Sequence, residues 1–340
     1  MKIKNYVLLI VMTALGGILI VFSPYAKNGA LEGLALAQNT VIPSLLPLLI
    51  IFSFIMKSPC CDVLSKALGV ISQKLFRLPR ITFPAVLFGI IGGYPTGALM
   101  TLQLLESDNI DKKQARCLLR FNMCGGCGFI ITAVGSAVYG STKTGVILFF
   151  SNVLSALTVG ICHSFKNRKE QDCFYSYNES VSFGDALNSA TSSSVNAVLN
   201  ITAYIVLFSA LNGVFHIPQK LLPLMEITNG VCTGDKIPIP ILCALLSFGG
   251  VCIHLQLLPV ILKAGMSYFD FLLFRVINAV LSFCYAKLLV LIFPVEEYVF
   301  SNTSSTVAQF YSVNVLLSVL MIGGCFVLIG DLRSKIIASR

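Results

Sequence analysis

Residues 92–97 read GGYPTG, and they lie in the middle of an apolar stretch that covers residues 81–105. A stretch of this length can cross a membrane, because a membrane-spanning helix needs about 20 residues. Pro95 cannot donate a helical hydrogen bond, and the glycines of the motif tolerate the backbone angles of a chain reversal. The motif therefore predicts a break at the centre of this segment.

The composition indicates an integral membrane protein. The chain has 340 residues, of which 56% are hydrophobic and 11% are charged, and its mean hydropathy is +0.85. Soluble domains are about 25% charged, so this sequence cannot cover a water-exposed surface. Apolar runs long enough to span occur at 6–23, 37–56, 81–105, 121–140, 145–163, 187–212, 241–262, 268–293 and 310–330. We expect these runs to be helical, which predicts an all-α polytopic membrane protein.

Basic loops predict how the first half is oriented. Most of the Lys and Arg residues lie in the loops 57–80, 106–120 and 164–186, and cytoplasmic loops are enriched in these residues. If the segment 81–105 crossed the membrane once, the basic loops on its two sides would lie on opposite faces. A re-entrant hairpin that turns at GGYPTG keeps both loops in the cytoplasm and is therefore favoured. A single helix kinked at Pro95 is the alternative.

A second glycine pair interrupts the run 241–262 and suggests an internal repeat. The sequences GGYPTGALMTLQLL (92–105) and GGVCIHLQLLPVIL (249–262) both carry Leu-Gln-Leu-Leu after Gly-Gly. Similar helix openings follow them, LLRFNMCGG at 118–126 and LLFRVINAV at 272–280. Each half then reads as a spanning helix, a broken segment and two further spanning helices. This order predicts two inverted repeats, each with a re-entrant hairpin, as in many secondary transporters.

The runs and loops define the predicted domain organisation. It comprises an N-terminal transmembrane helix and loop (1–36), the first repeat (37–163), a cytoplasmic linker (164–186), the second repeat (187–330) and a C-terminal tail (331–340). Lys2 and Lys4 before the first apolar run resemble the start of a signal peptide. Because another apolar run follows, an uncleaved helix is expected, with cleavage after Ala26 as the alternative. The basic tail would lie outside the cell in this topology, against the charge bias.

Several other functional classes lack support in the sequence. The chain has no H-E-x-x-H or G-x-S-x-G motif, and Ser141 stands where a phosphate-binding loop needs lysine. Cys124 and Cys127 have the spacing of a redox or metal motif, but no further ligands accompany them, so close helix packing is the favoured interpretation. The net charge of +9 comes from short clusters between apolar runs. We expect neither an enzyme, a metal site nor a nucleic-acid partner.

Polar residues inside the apolar runs are candidates for a binding site, because each is costly at membrane depth unless it has a partner. Half-helix N-termini at the two breaks would offer free N–H groups and a partial positive charge, which favours an anionic solute. Glu226 is interpreted as part of a half-helix that ends at Asn229 and Gly230, where it would hold a coupling proton or cation. An interfacial carboxylate in an outer loop is the alternative.

Two further residues leave alternatives open. Arg275 is expected to pair with Asp270 near the end of its helix, and a substrate carboxylate is the alternative partner. His254 stands alone among apolar neighbours, as packing histidines often do, but it lies next to the second glycine pair. Packing and ligand binding are equally supported for this histidine.

Four stretches carry a resemblance to a known family. They are FGIIGGYPTGALMTLQLLE, LLRFNMCGGCGFIITAVGSAVYGSTKTGVIL, LMEITNGV and LSFGGVCIHLQLL, and they occur in the same order as in that family. Together they resemble the sporulation integral membrane proteins of endospore-forming bacteria that contain nucleoside-recognition (Gate) domains. The resemblance implies a fold related to concentrative nucleoside transporters and passage of dipicolinate, a small dianion, across the outer forespore membrane.

The same resemblance implies a set of binding-site residues, although MCGGCG carries a cysteine where similar proteins are expected to have a polar residue. The set is Gly93, Pro95, Thr96, Gly97, Asn122, Gly126, Glu226, Thr228, Asn229, Gly249, Gly250, His254 and Gln256. We therefore expect a secondary transporter or facilitator of a small anionic solute in the lipid bilayer, without a cofactor. Coupling of transport to a proton or a cation, and assembly into a homo-oligomer, are both left as alternatives. A non-transporting scaffold or assembly factor for the spore envelope is the alternative function.

Overall fold

A computed structural model describes residues 2–164, 182–232 and 236–295 of the chain. All regular secondary structure in these ranges is helical. The helices are α1 (Lys2–Val21), α2 (Ser23–Leu36), α3 (Ile42–Lys57), α4 (Cys60–Leu68), α5 (Phe83–Gly92), α6 (Tyr94–Glu106), α7 (Lys112–Phe121), α8 (Thr142–Ser164), α9 (Phe183–Phe215), α10 (Leu222–Met225), α11 (Ile227–Cys232), α12 (Ile239–Phe248), α13 (Gly250–Lys263) and α14 (Tyr268–Ile292). Short π-helical pieces lie at Ala37–Val41 and Ser72–Phe76, a longer one at Gly128–Val138, and a 3-10 turn at Arg80–Thr82.

Within the described ranges, five helical segments are long and apolar enough to cross a membrane. They are Ser23–Lys57, Thr142–Ser164, Phe183–Phe215, Ile239–Lys263 and Tyr268–Ile292. The predicted spanning helices at 145–163, 187–212 and 268–293 are thereby confirmed, and the run 37–56 is part of a longer helix formed by α2 and α3. The predicted run 310–330 and most of the linker 164–186 lie outside the described residues.

The predicted spanning helix at 121–140 is wrong. Helix α7 ends at Phe121, residues 123–126 have no regular structure, and a π-helical segment begins at Gly128. The intervening backbone makes close contacts instead: a Cβ on Gly126 would lie only 2.9 Å from the carbonyl oxygen of Gly92. This run is apolar enough for a helix, but its glycines allow the backbone to approach a neighbouring segment.

The break at GGYPTG separates two helices that fold back on each other. Gly93 has φ 97° and ψ −171°, a conformation that is open to glycine, and Pro95 lies in the first turn of α6. A Cβ on Gly97 would lie 3.3 Å from the Cα of Gly89 in α5. Because these positions are eight residues apart, such proximity requires the chain to reverse between them. We call α5 and α6 the first folded-back pair.

The break at Gly249 takes a different course, and the predicted hairpin at 241–262 is wrong. Before α12, the backbone N–H of Ile237 donates to the hydroxyl of Tyr139 at 3.0 Å. At the end of α13, the Lys263 amine contacts the Glu106 carboxylate at 2.8 Å. Helix α14 starts just after Lys263, and the carbonyl of Pro294 beyond its end accepts from Lys143, close to Tyr139 in the chain.

The length of α14 places these two contacts at opposite ends of the helix bundle. Its 25 residues extend about 37 Å at 1.5 Å per residue. Helices α12 and α13 therefore continue in one general direction from one end to the other. Consistent with this course, α12 packs against α14 and α8, whereas α13 lies against α6, α9 and α10.

A second folded-back pair lies outside the segment that the sequence singled out. The short helices α10 and α11 flank Glu226 and pack against each other, since a Cβ on Gly230 would overlap the backbone of Pro223. The first half thus contains a long helix (α2 with α3), a folded-back pair (α5 and α6), a helix that is broken between α7 and the π-helical segment Gly128–Val138, and a second long helix (α8). The second half contains, in the same order, α9, the pair α10 and α11, the broken helix formed by α12 and α13, and α14. The pair α10 and α11 precedes α12, whereas the Leu-Gln-Leu-Leu alignment placed the second folded-back pair within residues 241–262.

Candidate functional site

Both folded-back pairs and both broken helices meet at one cavity of about 70 Å³, which we call the central cavity. Predicted site residues line it from each of these elements: Gly93 and Pro95 from the first pair, Gly126 from the break after α7, Glu226 and Thr228 from the second pair, and Gln256 from α13. Most of the remaining wall is apolar and includes Val41, Phe129 and Ile201. Segments that are far apart in sequence therefore build a single site.

A second cavity of about 210 Å³ lies next to the central one. The two share Pro95, Ile201 and Gln256, and the second is also lined by Asn200 and Tyr204 of α9. These three shared residues lie between the two cavities. The two cavities together form a partly polar region inside a bundle of apolar helices.

Three predicted residues support the first turn without lining either cavity. Asn122 is fully buried, and its Nδ2 donates to the carbonyl oxygen of Ala85 at 2.9 Å. Any Cβ on Gly97 would overlap the carbonyl oxygen of this asparagine. Thr96 is also fully buried, and its hydroxyl has no hydrogen-bond partner among the described residues. These residues hold α5, α6 and the end of α7 together.

Glu226 lines the central cavity and also caps a helix. Its Oε1 accepts from the N–H of Thr228 at 2.8 Å, and its Oε2 accepts from the N–H of Asn229 at 2.5 Å. The predicted half-helix end at Asn229 and Gly230 is wrong, because both residues lie inside α11. The Asn229 side chain donates to Ser209 at 3.2 Å, away from the cavity wall. Hence the chain's own carboxylate occupies the free N–H groups at the start of α11.

Gly249 and Gly250 join the two halves at the second break. A Cβ on Gly249 would lie 3.5 Å from the ring of Tyr94, and one on Gly250 would lie 3.1 Å from the carbonyl oxygen of Pro223. Neither glycine lines the described cavities. Their role in this geometry is to let α6 and α10 approach the break.

His254 occupies an aromatic cluster rather than a cavity wall. Its Nδ1 lies 3.1 Å from the hydroxyl of Tyr268, and its Nε2 lies 3.1 Å from the carbonyl oxygen of Phe248. The ring centroid of Phe271 is 5.3 Å away. Both ring nitrogens therefore have protein partners, and the geometry supports the packing interpretation.

The predicted pairing of Arg275 with Asp270 is wrong. Asp270 instead contacts the guanidinium of Arg120 at 2.7 Å. Arg275 is 1% exposed and donates to the backbone at the breaks after α7 and at the end of α12. A buried cation without a carboxylate partner thus remains among the described residues.

Sequence reasoning also missed residues that the structure brings to the site. Tyr94 and Ser44 both line the central cavity. The Tyr94 hydroxyl is buried and has no hydrogen-bond partner among the described residues. A signal was present, since this tyrosine stands between the glycines and the proline of GGYPTG.

Comparison with known proteins identifies a relative whose name describes it as an integral membrane protein of sporulation. The chain is 26% identical over 235 residues to the sporulation integral membrane protein YlbJ of Bacillus subtilis (strain 168). The alignment covers 63% of this chain and 58% of that protein, so the chain spans less than two thirds of the relative's length. No protein family profile matches the chain, and no solved structure is similar to it. Together with the five apolar helical segments, the similarity supports a multi-pass membrane protein.

Proposed function

We propose that the chain is a secondary transporter or facilitator that carries a small anionic solute, dipicolinate by resemblance, during endospore formation. The observation that carries this proposal is the central cavity, where two folded-back pairs and two broken helices meet. Discontinuous helices at matching positions of two halves are typical of substrate sites in secondary transporters. The similarity to a sporulation membrane protein agrees with the proposed setting.

We further propose that the two halves are inverted repeats, as in concentrative nucleoside transporters. The supporting observation is that matching long helices run in opposite directions. Lys57 at the end of α3 contacts the Ser189 hydroxyl near the start of α9 at 2.9 Å. Lys143 near the start of α8 contacts the carbonyl of Pro294 beyond the end of α14 at 2.7 Å. In this arrangement the first folded-back pair is a re-entrant hairpin, entered from the basic cytoplasmic loops.

The chemistry of the cavity limits the solute and its coupling. Apolar walls suit the flat ring of a pyridine dicarboxylate, while Ser44 and Gln256 offer hydrogen bonds to its polar ends. Glu226 would repel an anion unless a proton or a cation accompanies it. The proposed mechanism therefore couples the anion to a proton or cation at Glu226.

Transport by the purified full chain in liposomes tests the proposal. Labelled dipicolinate should enter vesicles in a saturable manner above the rate of empty vesicles, and a proton gradient should change the rate. The double variant Pro95→Leu and Gly97→Leu should insert but lose this flux, because a side chain at position 97 overlaps the backbone of Asn122 and separates α6 from the end of α7. Gly17→Leu is the matched control, since a Cβ there meets nothing within 4 Å. Absence of flux by inserted wild-type protein would reject the proposal.

A further inference from the structure

We infer that Arg275 is the residue that binds the charged group of the anionic solute. The inference rests on the proposed function and names the group that neutralises the solute. Arg275 lies in the candidate membrane span Tyr268–Ile292. Its side chain is 1% exposed, and among the described residues no carboxylate pairs with it. An uncompensated charge at such depth is costly, so its presence points to an anionic partner.

The guanidinium is hydrogen-bonded through one of its nitrogens and unpartnered at the other two. Its Nη1 donates to the carbonyl oxygens of Met123 at 2.5 Å and Ser247 at 3.4 Å, which belong to the two helix breaks. The ring of Phe271 lies 5.6 Å from its central carbon. In contrast, Nε and Nη2 have no hydrogen-bond partner among the described residues.

The two unpartnered nitrogens have the geometry that binds a carboxylate. Nε and Nη2 are adjacent and carry parallel N–H groups, which bind both oxygens of one carboxylate side-on. Nη1 meanwhile fixes the plane of the guanidinium through the two backbone carbonyls. A buried arginine with a purely structural role is expected to have its N–H groups paired, so the two unpartnered nitrogens point to a missing anion.

Tyr94 connects this guanidinium to the central cavity. It lines the cavity. The two glycines beside it, Gly125 and Gly249, each follow by two residues a carbonyl that Arg275 bonds, that of Met123 or Ser247. Gly249 and Gly125 flank its side chain: a Cβ on Gly249 would be 3.5 Å from the ring, and one on Gly125 would be 3.6 Å from the hydroxyl. Because neither neighbour has a side chain, a rotation of Tyr94 can admit a carboxylate from the cavity to Arg275. The unpartnered Tyr94 hydroxyl then supplies a further donor.

Ligand-dependent thermal stability of the full chain in detergent tests the inference. Dipicolinate should raise the melting temperature of the wild type, and its neutral analogue pyridine-2,6-dicarboxamide should not. Arg275→Gln should weaken dipicolinate binding by about tenfold or more, and Arg275→Lys, which keeps the charge but not the fork, by less. Arg120→Gln is the matched control, because that arginine already pairs with Asp270. It should leave dipicolinate binding unchanged.

Two results would overturn the inference: undiminished dipicolinate binding by folded Arg275→Gln, or equal stabilisation of the wild type by the acid and the diamide. If both Arg275 variants fail to fold, Tyr94→Ala decides the question. This variant opens the route to the guanidinium, so benzoate should stabilise it more than benzamide does, and equal effects would again reject the inference. Flux in liposomes separates the two proposals. Dipicolinate flux with Arg275-independent binding rejects only the inference, and Arg275-dependent binding without flux rejects only transport.

Discussion

The two glycine breaks share a sequence pattern but have opposite courses. At Gly93 the chain turns back, and α5 and α6 pack against each other. At Gly249 and Gly250 the chain continues: α12 packs mainly against α14 and α8, and α13 mainly against α6, α9 and α10. Both breaks have glycine in a conformation with positive φ, which residues with a side chain rarely adopt. The difference teaches that glycine permits a break, while the contacts around it set the direction of the chain.

Those contacts can be named for each break. At the first, Asn122 lies against Gly89 and Gly97 and bonds to the backbone of α5. At the second, Arg275 holds the carbonyl of Ser247 at the end of α12. The first set of contacts draws two arms together, and the second anchors one arm to α14.

Labelling of single cysteines gives the largest expected difference between the breaks, because it is all or none. In variants that lack the other thiols, Cys60 and Asp108→Cys should react with an impermeant maleimide from the same side of the membrane. These two positions flank the first pair and are exposed. Lys236→Cys and Lys263→Cys, which flank α12 and α13, should react from opposite sides.

The choice of reporter follows from burial. Ser58 and Cys61 are poor sites, at 3% and 2% exposure, and burial raises the pKa of the Cys61 thiol to about 12. Because the thiolate is the reactive form, a separate variant that keeps Cys61 as its single thiol is the negative control. Labelling of positions 60 and 108 from opposite faces would replace the re-entrant hairpin by a spanning helix.

The next largest effect is expected at the first break. Gly97→Ala should lower the free energy of unfolding by about 3 kcal/mol or more, because the new methyl group overlaps a backbone oxygen that cannot rotate away. Thermal unfolding in detergent measures the loss. Gly17→Ala provides the control, since a Cβ there meets nothing within 4 Å, and it should be neutral or slightly stabilising. Equal stability of the two variants would show that α6 does not touch Asn122.

Sequence patterns located both breaks and most of the long helices, since these depend on local composition. They did not reveal the course of the second break, because the contact of Lys263 with Glu106 joins residues far apart in the chain. The break after Phe121 was also missed, as its glycines and cysteines are equally compatible with a packed helix. The wrong pairing of Asp270 with Arg275 was avoidable from the sequence. The two residues are five positions apart, and on a helix only residues three or four positions apart are neighbours.

The sequence also predicted only part of the candidate site. Glu226, Thr228 and Gln256 were found because polar residues are rare in apolar runs. The capping role of Glu226 was not, because LLPLMEITNG contains no proline or glycine at the point where α10 ends. Such a short helix depends on tertiary packing, here against Gly250, rather than on its own propensity.

The smallest expected effect is the difference in stability between alanine variants at the two glycines of the second break. Both have positive φ, 93° at Gly249 and 71° at Gly250, so alanine at either position costs about 1–2 kcal/mol for the left-handed conformation. Gly250→Ala should cost about 1 kcal/mol more, because its Cβ would lie 3.1 Å and 3.2 Å from the carbonyl oxygens of Pro223 and Leu224. At Gly249 the nearest atoms are side-chain atoms at 3.5 Å. Thermal unfolding of the two variants measures this difference, and equal losses would show that α10 does not rest on the break.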